Sequence, residues 1–386
     1  MAVSLIVTGG DVHLSGNPIE VTVTATAAKT NHKLAVKVSC AALLSPVQIE
    51  EIEPTNLVAI HQINGLVNEP LPSTFDYPAI GKVGAREALA LIVTVDCGEV
   101  WDDENGDRQE SWQGVNQVIR IINGQLRDYE LAILNDAGKS FASEYITGGK
   151  FLTNLPNHQK VTNGQTVKLW YLSRWMVNHP CQLNFTVETD DGIVHDPLTE
   201  AVVLIASGLF EFSMNPGFIG FVPDPGVLVT GYTFWLSDET GDISERRHFV
   251  VDNDYYETQY FGFYRNEYSA IESFWLHGKS AKTNLKTESE MAYKPVQVGS
   301  GTKEGTLKTV SSSGKRFWEI NTGVRNTKEM IALRELLESE EIWLVDQADD
   351  TRLIPVNIPG NDFLLDDPMQ DNIQSLEIAF HESNQK

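Results

Sequence analysis

The sequence predicts a mainly β protein of three β-rich modules, antiparallel and sandwich-like, with one short helix at about 326–338 in the last module. Three observations carry this reading. Alternation of apolar and polar residues with a period of two dominates the first third. Turn-forming pairs such as Asn123-Gly124 and clusters such as Asp190-Asp191-Gly192 separate short apolar runs throughout. One stretch alone combines an N-terminal cap with helical spacing, beginning at Asn326.

In Ile19 to Ala25 the apolar residues take one face, with Glu20, Thr22 and Thr24 on the other. Leu34, Val36, Val38 and Cys40 repeat the pattern, as do Leu89, Leu91, Val93 and Val95. Side chains alternate across a pleated strand, so each run offers one core face and one wet face. Ser4 to Val7 reads as a first strand. Val118 to Ile122 runs into Asn123-Gly124, the favoured pair for a tight hairpin turn, and pairing is expected to resume through Tyr129–Leu134. The turn formers Asn135 to Gly138 end an N-terminal sandwich at 1–135.

A second sandwich-like module is placed at 136–250. It contains a strand at Val167–Tyr171 after the Asn163-Gly164 turn, a hairpin around Asp190-Asp191-Gly192, an apolar strand over Glu200–Ser207, and a closing strand at Gly231–Leu236. The C-terminal module, 251–386, holds the helix. Asn326 and Glu329 form a capping box, and Met330, Leu333, Leu336 and Leu337 follow at helical spacing. Strands at Ile342–Val345, Leu353–Ile358 and Leu376–Phe380 come after it.

Composition narrows the function. The 386 residues carry 29 Lys plus Arg against 53 Asp plus Glu, a net charge of −24. Phosphate recognition needs a basic face, so a nucleic-acid partner is not expected. No basic leader opens the chain and no apolar run reaches the roughly 18 residues of a membrane span, so neither a secretory signal nor membrane insertion is expected. Three scattered cysteines, Cys40, Cys97 and Cys181, suit buried thiols in a reducing compartment.

Five kinds of feature in the sequence bear on chemistry. Gly138-Lys139-Ser140 and Gly278-Lys279-Ser280 each lack the earlier glycine of a phosphate loop, having Ile133 and Ser273 there, and read as hairpin loops. Gly299 to Gly305 reads as a flexible connection rather than a dinucleotide fingerprint. The nine histidines fall in no zinc or triad pattern, and His195 and His179 read as loop residues. The acidic stretch Asp102, Asp103, Glu104 and Asp107 is the metal candidate, because a hard cation favours several carboxylate oxygens. With Gly106 at the sixth place of a calcium loop, however, Trp101 and Trp112 occupy the first and twelfth, so a solvated hairpin tip is expected. Asp252-Asn253-Asp254 reads likewise. Trp170, Tyr171 and Trp175, or Trp101 with Trp112, could stack on sugars, although packing in a sandwich core is the favoured role.

Tyr260 to Ser269, followed by Glu272 to Gly278, resembles a recurrent segment of phage and prophage tail-type structural proteins. Leu14 to Ile19, Leu333 to Val345 and Leu376 to His381 are similar in style. The resemblance implies a non-enzymatic structural or assembly protein of a tail or baseplate. It would act through contacts with other virion proteins or with its own copies, as a homo-oligomer without cofactor. It would be made in a bacterial cytoplasm and then built into the virion. The alternative is a glycan-binding, adhesin-like β-sandwich protein, with a carbohydrate-active enzyme behind it.

Overall fold

The computed structural model describes residues 3–41, 47–67, 83–85, 90–114, 116–162, 165–175, 177–205, 208–215, 220–257, 259–278, 281–293, 307–360 and 373–383. The protein is mainly β, built from several antiparallel sheets with short helices. The chain divides into two compact units, one of residues 1–252 with 265–272, the other of 253–264 with 273–386.

In the first unit, a three-stranded sheet of Val3–Val7, Glu20–Ala25 and Val58–Gln62 faces a larger one. That sheet runs Val12–Leu14, Gln117–Ile122, Ala90–Asp102, Thr30–Ser39, Val47–Ile52, with Arg108–Trp112 pairing to one side. The alternating runs supply the shared core: Val21, Val23, Val36, Val38, Val93 and Val95 are fully buried. Each such side chain contributes roughly 1.5–3 kcal/mol on leaving water.

A second core in this unit lies between Val167–Leu172, Leu209–Met214 and Val83–Ala85 on one side and a five-stranded path on the other. The path runs Gln159–Thr162, Arg247–Asp252, Val229–Asp238, His179–Thr189, Val194–Leu204. Its centre is aromatic. Tyr232 stacks on Phe185 and on Phe249, each pair of rings 5.0 Å apart. Val83–Ala85 comes from within the stretch of chain that builds the first sandwich, yet it pairs with Leu209–Met214.

Four expectations need correction. Residues 128–136 are a helix, Asp128–Asp136, where a returning strand was expected over Tyr129–Leu134. The Arg127 backbone N–H donates to Glu130 Oε2 (3.2 Å), and Asp128 and Glu130 complement the helix dipole in its first turn. Asn123-Gly124 therefore closes no hairpin. Gln117–Ile122 instead pairs in parallel with Val12–Leu14, and Gly124, at φ 148°, accepts from Gly16 N–H. Gly138 follows the end of that helix with φ 65°, so Gly138-Lys139-Ser140 is no hairpin loop. Finally, Gln159–Thr162 pairs in parallel with Arg247–Asp252, a second exception to the antiparallel rule.

The second unit is built on a seven-stranded sheet in the order Ile271–Leu276, Tyr260–Arg265, Ile342–Asp346, Asp349–Asn357, Glu377–Glu382, Leu307–Asn321, Ala281–Tyr293, with a separate two-stranded pair of Arg325–Asn326 and Ile373–Gln374. Helix Thr327–Glu338 packs Leu336 into the core of Leu344, Ile354, Ile378 and Phe380. Its cap is as the sequence predicts: Glu329 N–H donates to Asn326 Oδ1 and Asn326 N–H to Glu329 Oε2, both at 3.0 Å.

Candidate interaction surfaces

The acidic stretch forms the tip between strands Ala90–Asp102 and Arg108–Trp112. Asp103 builds the turn. Its Oδ1 accepts from the N–H groups of Asn105 (2.8 Å) and Asp107 (3.0 Å), and its Oδ2 from Gln109 Nε2 (3.0 Å). These bonds, that from Asp107 foremost, hold the Asp103 carboxyl below its ordinary value. Asp102 accepts from Asn31 Nδ2 at 2.6 Å. Asp102, Asp103, Glu104 and Asp107 thus share the turn that these bonds and the strand pairing build; among the described residues no three His, Cys, Asp or Glu side chains are grouped as a metal would require.

The aromatic candidates are occupied in other ways. Trp170 and Tyr171 point to opposite faces and are both fully buried. The Trp170 indole N–H donates to the Ile271 carbonyl (3.1 Å), and the Tyr171 hydroxyl to the Ile243 carbonyl (3.1 Å). Lys29 Nζ lies 3.2 Å from the centre of the Trp101 ring and 2.5 Å from Glu99 Oε2. Lys37 sits 4.6 Å over Trp112. Trp175 stacks on His179 at 3.8 Å, and His179 reaches Asp238 Oδ2 at 2.9 Å. Each candidate ring thus already has a partner on at least one face or edge.

Lys139 is paired with Glu144, which Lys150 also binds. The two ammonium groups, Lys139 first, hold the Glu144 carboxyl below its ordinary value. His179 and His195, expected in loops, lie in the strands His179–Thr189 and Val194–Leu204, and His195 approaches Thr189 Oγ1 at 3.4 Å and meets the Phe221 ring edge-on. Lys279 and Ser280, the Asn163-Gly164 turn and the stretch Gly299 to Gly305 lie outside the described residues. A cavity of about 280 Å³, lined in part by His13, Leu14, Leu126, Leu131 and Phe141, is smaller than pockets that enclose drug-sized ligands. Asn17, on its wall, spends its amide on the backbone N–H and carbonyl of Leu126.

Two surfaces have the opposite character. On the outer face of the larger first sheet, Val118, Thr94, Ser39 and Val47 form one cross-strand row. Ile92 and Ile49 lie on adjacent rows of that face, and Ile92, Val118, Val47 and Ile49 are 62%, 48%, 56% and 50% exposed. Thr94 and Ser39 stand between the two ends of the row, so the exposed apolar side chains form two pairs, Ile92 with Val118 and Val47 with Ile49. Exposed apolar side chains on a sheet face can serve as contacts.

The other is a ribbon. Ala281–Tyr293 and Leu307–Asn321 pair from Ala281–Ile320 to Tyr293–Leu307. Glu377–Glu382, the neighbour on the far side of Leu307–Asn321, pairs only with Phe317 to Asn321. Among the described residues, the nine pairs from Leu285–Arg316 to Tyr293–Leu307 therefore form a two-stranded extension without a third strand. At about 3.4 Å per residue it is roughly 30 Å long. Sequence reasoning missed it, since its Ser, Thr and Lys residues give no apolar stripe.

Comparison with known proteins gives no family: no family model matches, and no curated protein matches. Among solved structures, a marsupial T cell receptor is matched at 11% identity over 82% of this chain and 96% of that one, with a TM-score of 0.20. That score is too low to establish a shared fold. None of the described helices is long and apolar enough to cross a membrane.

Proposed function

We propose that this chain is a non-enzymatic structural protein that works by assembling with other protein subunits, of the kind found in phage tails or baseplates. The ribbon carries the reading. A two-stranded hairpin on its own is marginally stable in water, and its free edges hold rows of unpaired N–H and C=O groups. Nine such pairs beyond the sheet make sense as an element completed by another molecule. The exposed side chains Ile92 and Val118, diagonal neighbours on the outer sheet face, support the same reading.

The buried ionisable groups agree with a structural role. Lys168–Glu211, Lys29–Glu99 and Glu144 with its two lysines each tie one segment of the fold to another. Placement in a virion rests on the resemblance of the Tyr260 to Gly278 segment alone.

Light scattering across protein concentration, with negative-stain microscopy of the same samples, tests the proposal. Defined multi-subunit particles that grow in with concentration are expected. A single chain at every concentration overturns it.

A further inference from the structure

We propose that the helix Asp128–Asp136 is a lid over the cavity beside His13 and Phe141. Its latch is a pair of carboxyl groups, Glu130 and Glu267, that share one proton, and the lid opens when that proton leaves. The device works within the first unit and stands whether or not the chain assembles.

The first ground is how lightly the helix is held. None of its residues is fully buried, and Tyr129 and Ile133 are exposed. Leu131 and Asn135 form part of the wall of the cavity of about 280 Å³, together with Leu14, Leu126 and Phe141. A helix that closes a cavity forgoes the dispersion contacts of a filled core, so other contacts must keep it in place. The chain on either side supplies the hinges. Leu126 is fixed by the Asn17 side chain, which accepts from its N–H (2.8 Å) and donates to its carbonyl (3.0 Å). Gly138, at φ 65°, has no atom within 4 Å of its Cβ position, so the backbone is free to turn there.

The second ground is the contact that holds it. Glu267 lies in the turn from Asn266 to Ala270, and its side chain is only 8% exposed. Its Oε1 accepts from the Asn154 amide, while its Oε2 is buried without a hydrogen-bond donor. The Arg127 Nη1 is 3.3 Å from Glu130 Oε1 and 3.9 Å from Glu267 Oε2. Glu130 also accepts from the Arg127 backbone N–H (3.2 Å) and the Tyr129 hydroxyl (2.9 Å). Glu130 therefore keeps the charge, and the shared proton belongs on Glu267. Protonated, Glu267 donates to Glu130 and ties the helix to the turn. Ionised, it sets a second carboxylate against the first in a site shielded from water.

Other titratable groups close by leave the direction of the switch unchanged. The Tyr268 hydroxyl donates to Asn154 Oδ1 (2.7 Å) and meets the Tyr145 hydroxyl at 2.6 Å. Burial pushes the Tyr129 and Tyr145 hydroxyls up, that of Tyr145 to about 12. Glu144, next to Tyr145, is bound by Lys139 and Lys150. Burial holds His13, on the cavity wall, below its ordinary 6.5. Burial, then the charge of Glu130, raises Glu267 from 4.5 to about 7 while the lid is closed. Opening returns it to water and to its ordinary value. The closed lid thus gains from the proton at low pH, and that gain is gone above about pH 7. With these two values the opening constant rises about tenfold from pH 6 to pH 8.5.

The test is hydrogen exchange of the full chain at about pH 6 and about pH 8.5, read as protection factors so that the base-catalysed intrinsic rate cancels. In the wild type, amides of residues 131–136 should lose about tenfold in protection at the higher pH. In Glu267→Gln, whose side chain is neutral at both pH values, they should keep the same protection. In both proteins these amides should exchange about a hundredfold or more faster than those of Val36 and Val93 in the first core.

Helix amides as protected as those of Val36 and Val93 would mean that the helix leaves only when the unit unfolds, and would overturn the lid. Wild-type protection that is the same at the two pH values overturns the latch, and so does a loss of equal size in Glu267→Gln. Should the variant not fold, the wild-type comparisons alone decide both points.

Discussion

Lys168 and Glu211 form an ion pair on the neighbouring strands Val167–Leu172 and Leu209–Met214, with side chains 1% and 4% exposed. Two charges this far from water are stable only while each neutralises the other. Lys168→Met leaves the Glu211 carboxylate buried without its ammonium, and should cost about 3–5 kcal/mol in a urea titration. The double variant K168M/E211L removes both charges and is expected to regain most of that loss. A double variant as unstable as the single one would mean that the site tolerates no apolar replacement.

Glu267 sets a second expectation, on pH. Burial, followed by the neighbouring charge of Glu130, pushes its carboxyl up to about 7, against the pull of Arg127 and of Asn154. Its Oε2 is buried without a hydrogen-bond donor. The folded value lies above the ordinary 4.5, so the protonated form is the one the fold favours. The stability it contributes is complete below about pH 4.5, declines as pH rises, and is gone above about pH 7. The buried rings of His13 and His61, both pushed down by burial, act in the opposite sense as pH falls below 6.5. Wild type and Glu267→Gln are therefore compared at each pH. The wild-type melting temperature should fall relative to the variant between pH 5 and 7, and a constant difference would refute the assignment.

The strands of the first sandwich were legible because β-branched residues alternate there, and burial of Val21, Val23, Val36 and Val38 follows the period of two. The Asn326–Glu329 box was legible because a cap is local chemistry. What escaped depends on distant chain. Val83–Ala85 pairs with Phe210 to Phe212, a partner no local pattern announces. Trp170 and Tyr171 are both buried, and the carbonyls that accept from them, those of Ile271 and Ile243, come from far along the sequence. Tyr129–Leu134 fits either period over so few residues, and the capping contact of Arg127 with Glu130 decides for helix. Of the site candidates, the Asp102 to Asp107 tip was legible as a turn. The ribbon was not, because paired polar strands lack the apolar face that reveals a strand.

The cap of the C-terminal helix is directly testable. Asn326→Ala removes the acceptor of the Glu329 N–H and half of the reciprocal pair. The expected cost is about 1 kcal/mol in thermal or urea unfolding. Asn326→Asp or Asn326→Ser keeps an acceptor and should stay within a few tenths of the wild type. Equal losses in all three variants would show that the side-chain bond is not what holds the helix start.

Gly149 offers the sharpest single-residue test of the backbone. Its φ is 65°, a region costly for any residue with a Cβ. A Cβ built there would stand 2.3 Å from the Ile243 carbonyl oxygen and 3.2 Å from the Ser244 Cα, both main-chain atoms that cannot swing aside. The approach is tight because Glu245 N–H donates to the Gly149 carbonyl (2.9 Å), and Phe151 N–H to Glu245 Oε1 (3.0 Å), which pins the two segments together. The Tyr171 hydroxyl binds the same Ile243 carbonyl, so a displaced Ile243 would also disturb the second core. Gly149→Ala should therefore cost about 2–3 kcal/mol, more than the roughly 1 kcal/mol of left-handed strain alone. Gly138→Ala is the control. It has the same φ of 65° but no atom within 4 Å of the added Cβ, so it should lose only the strain component. Equal losses at the two positions would mean that the contact with Ile243 does not constrain the fold.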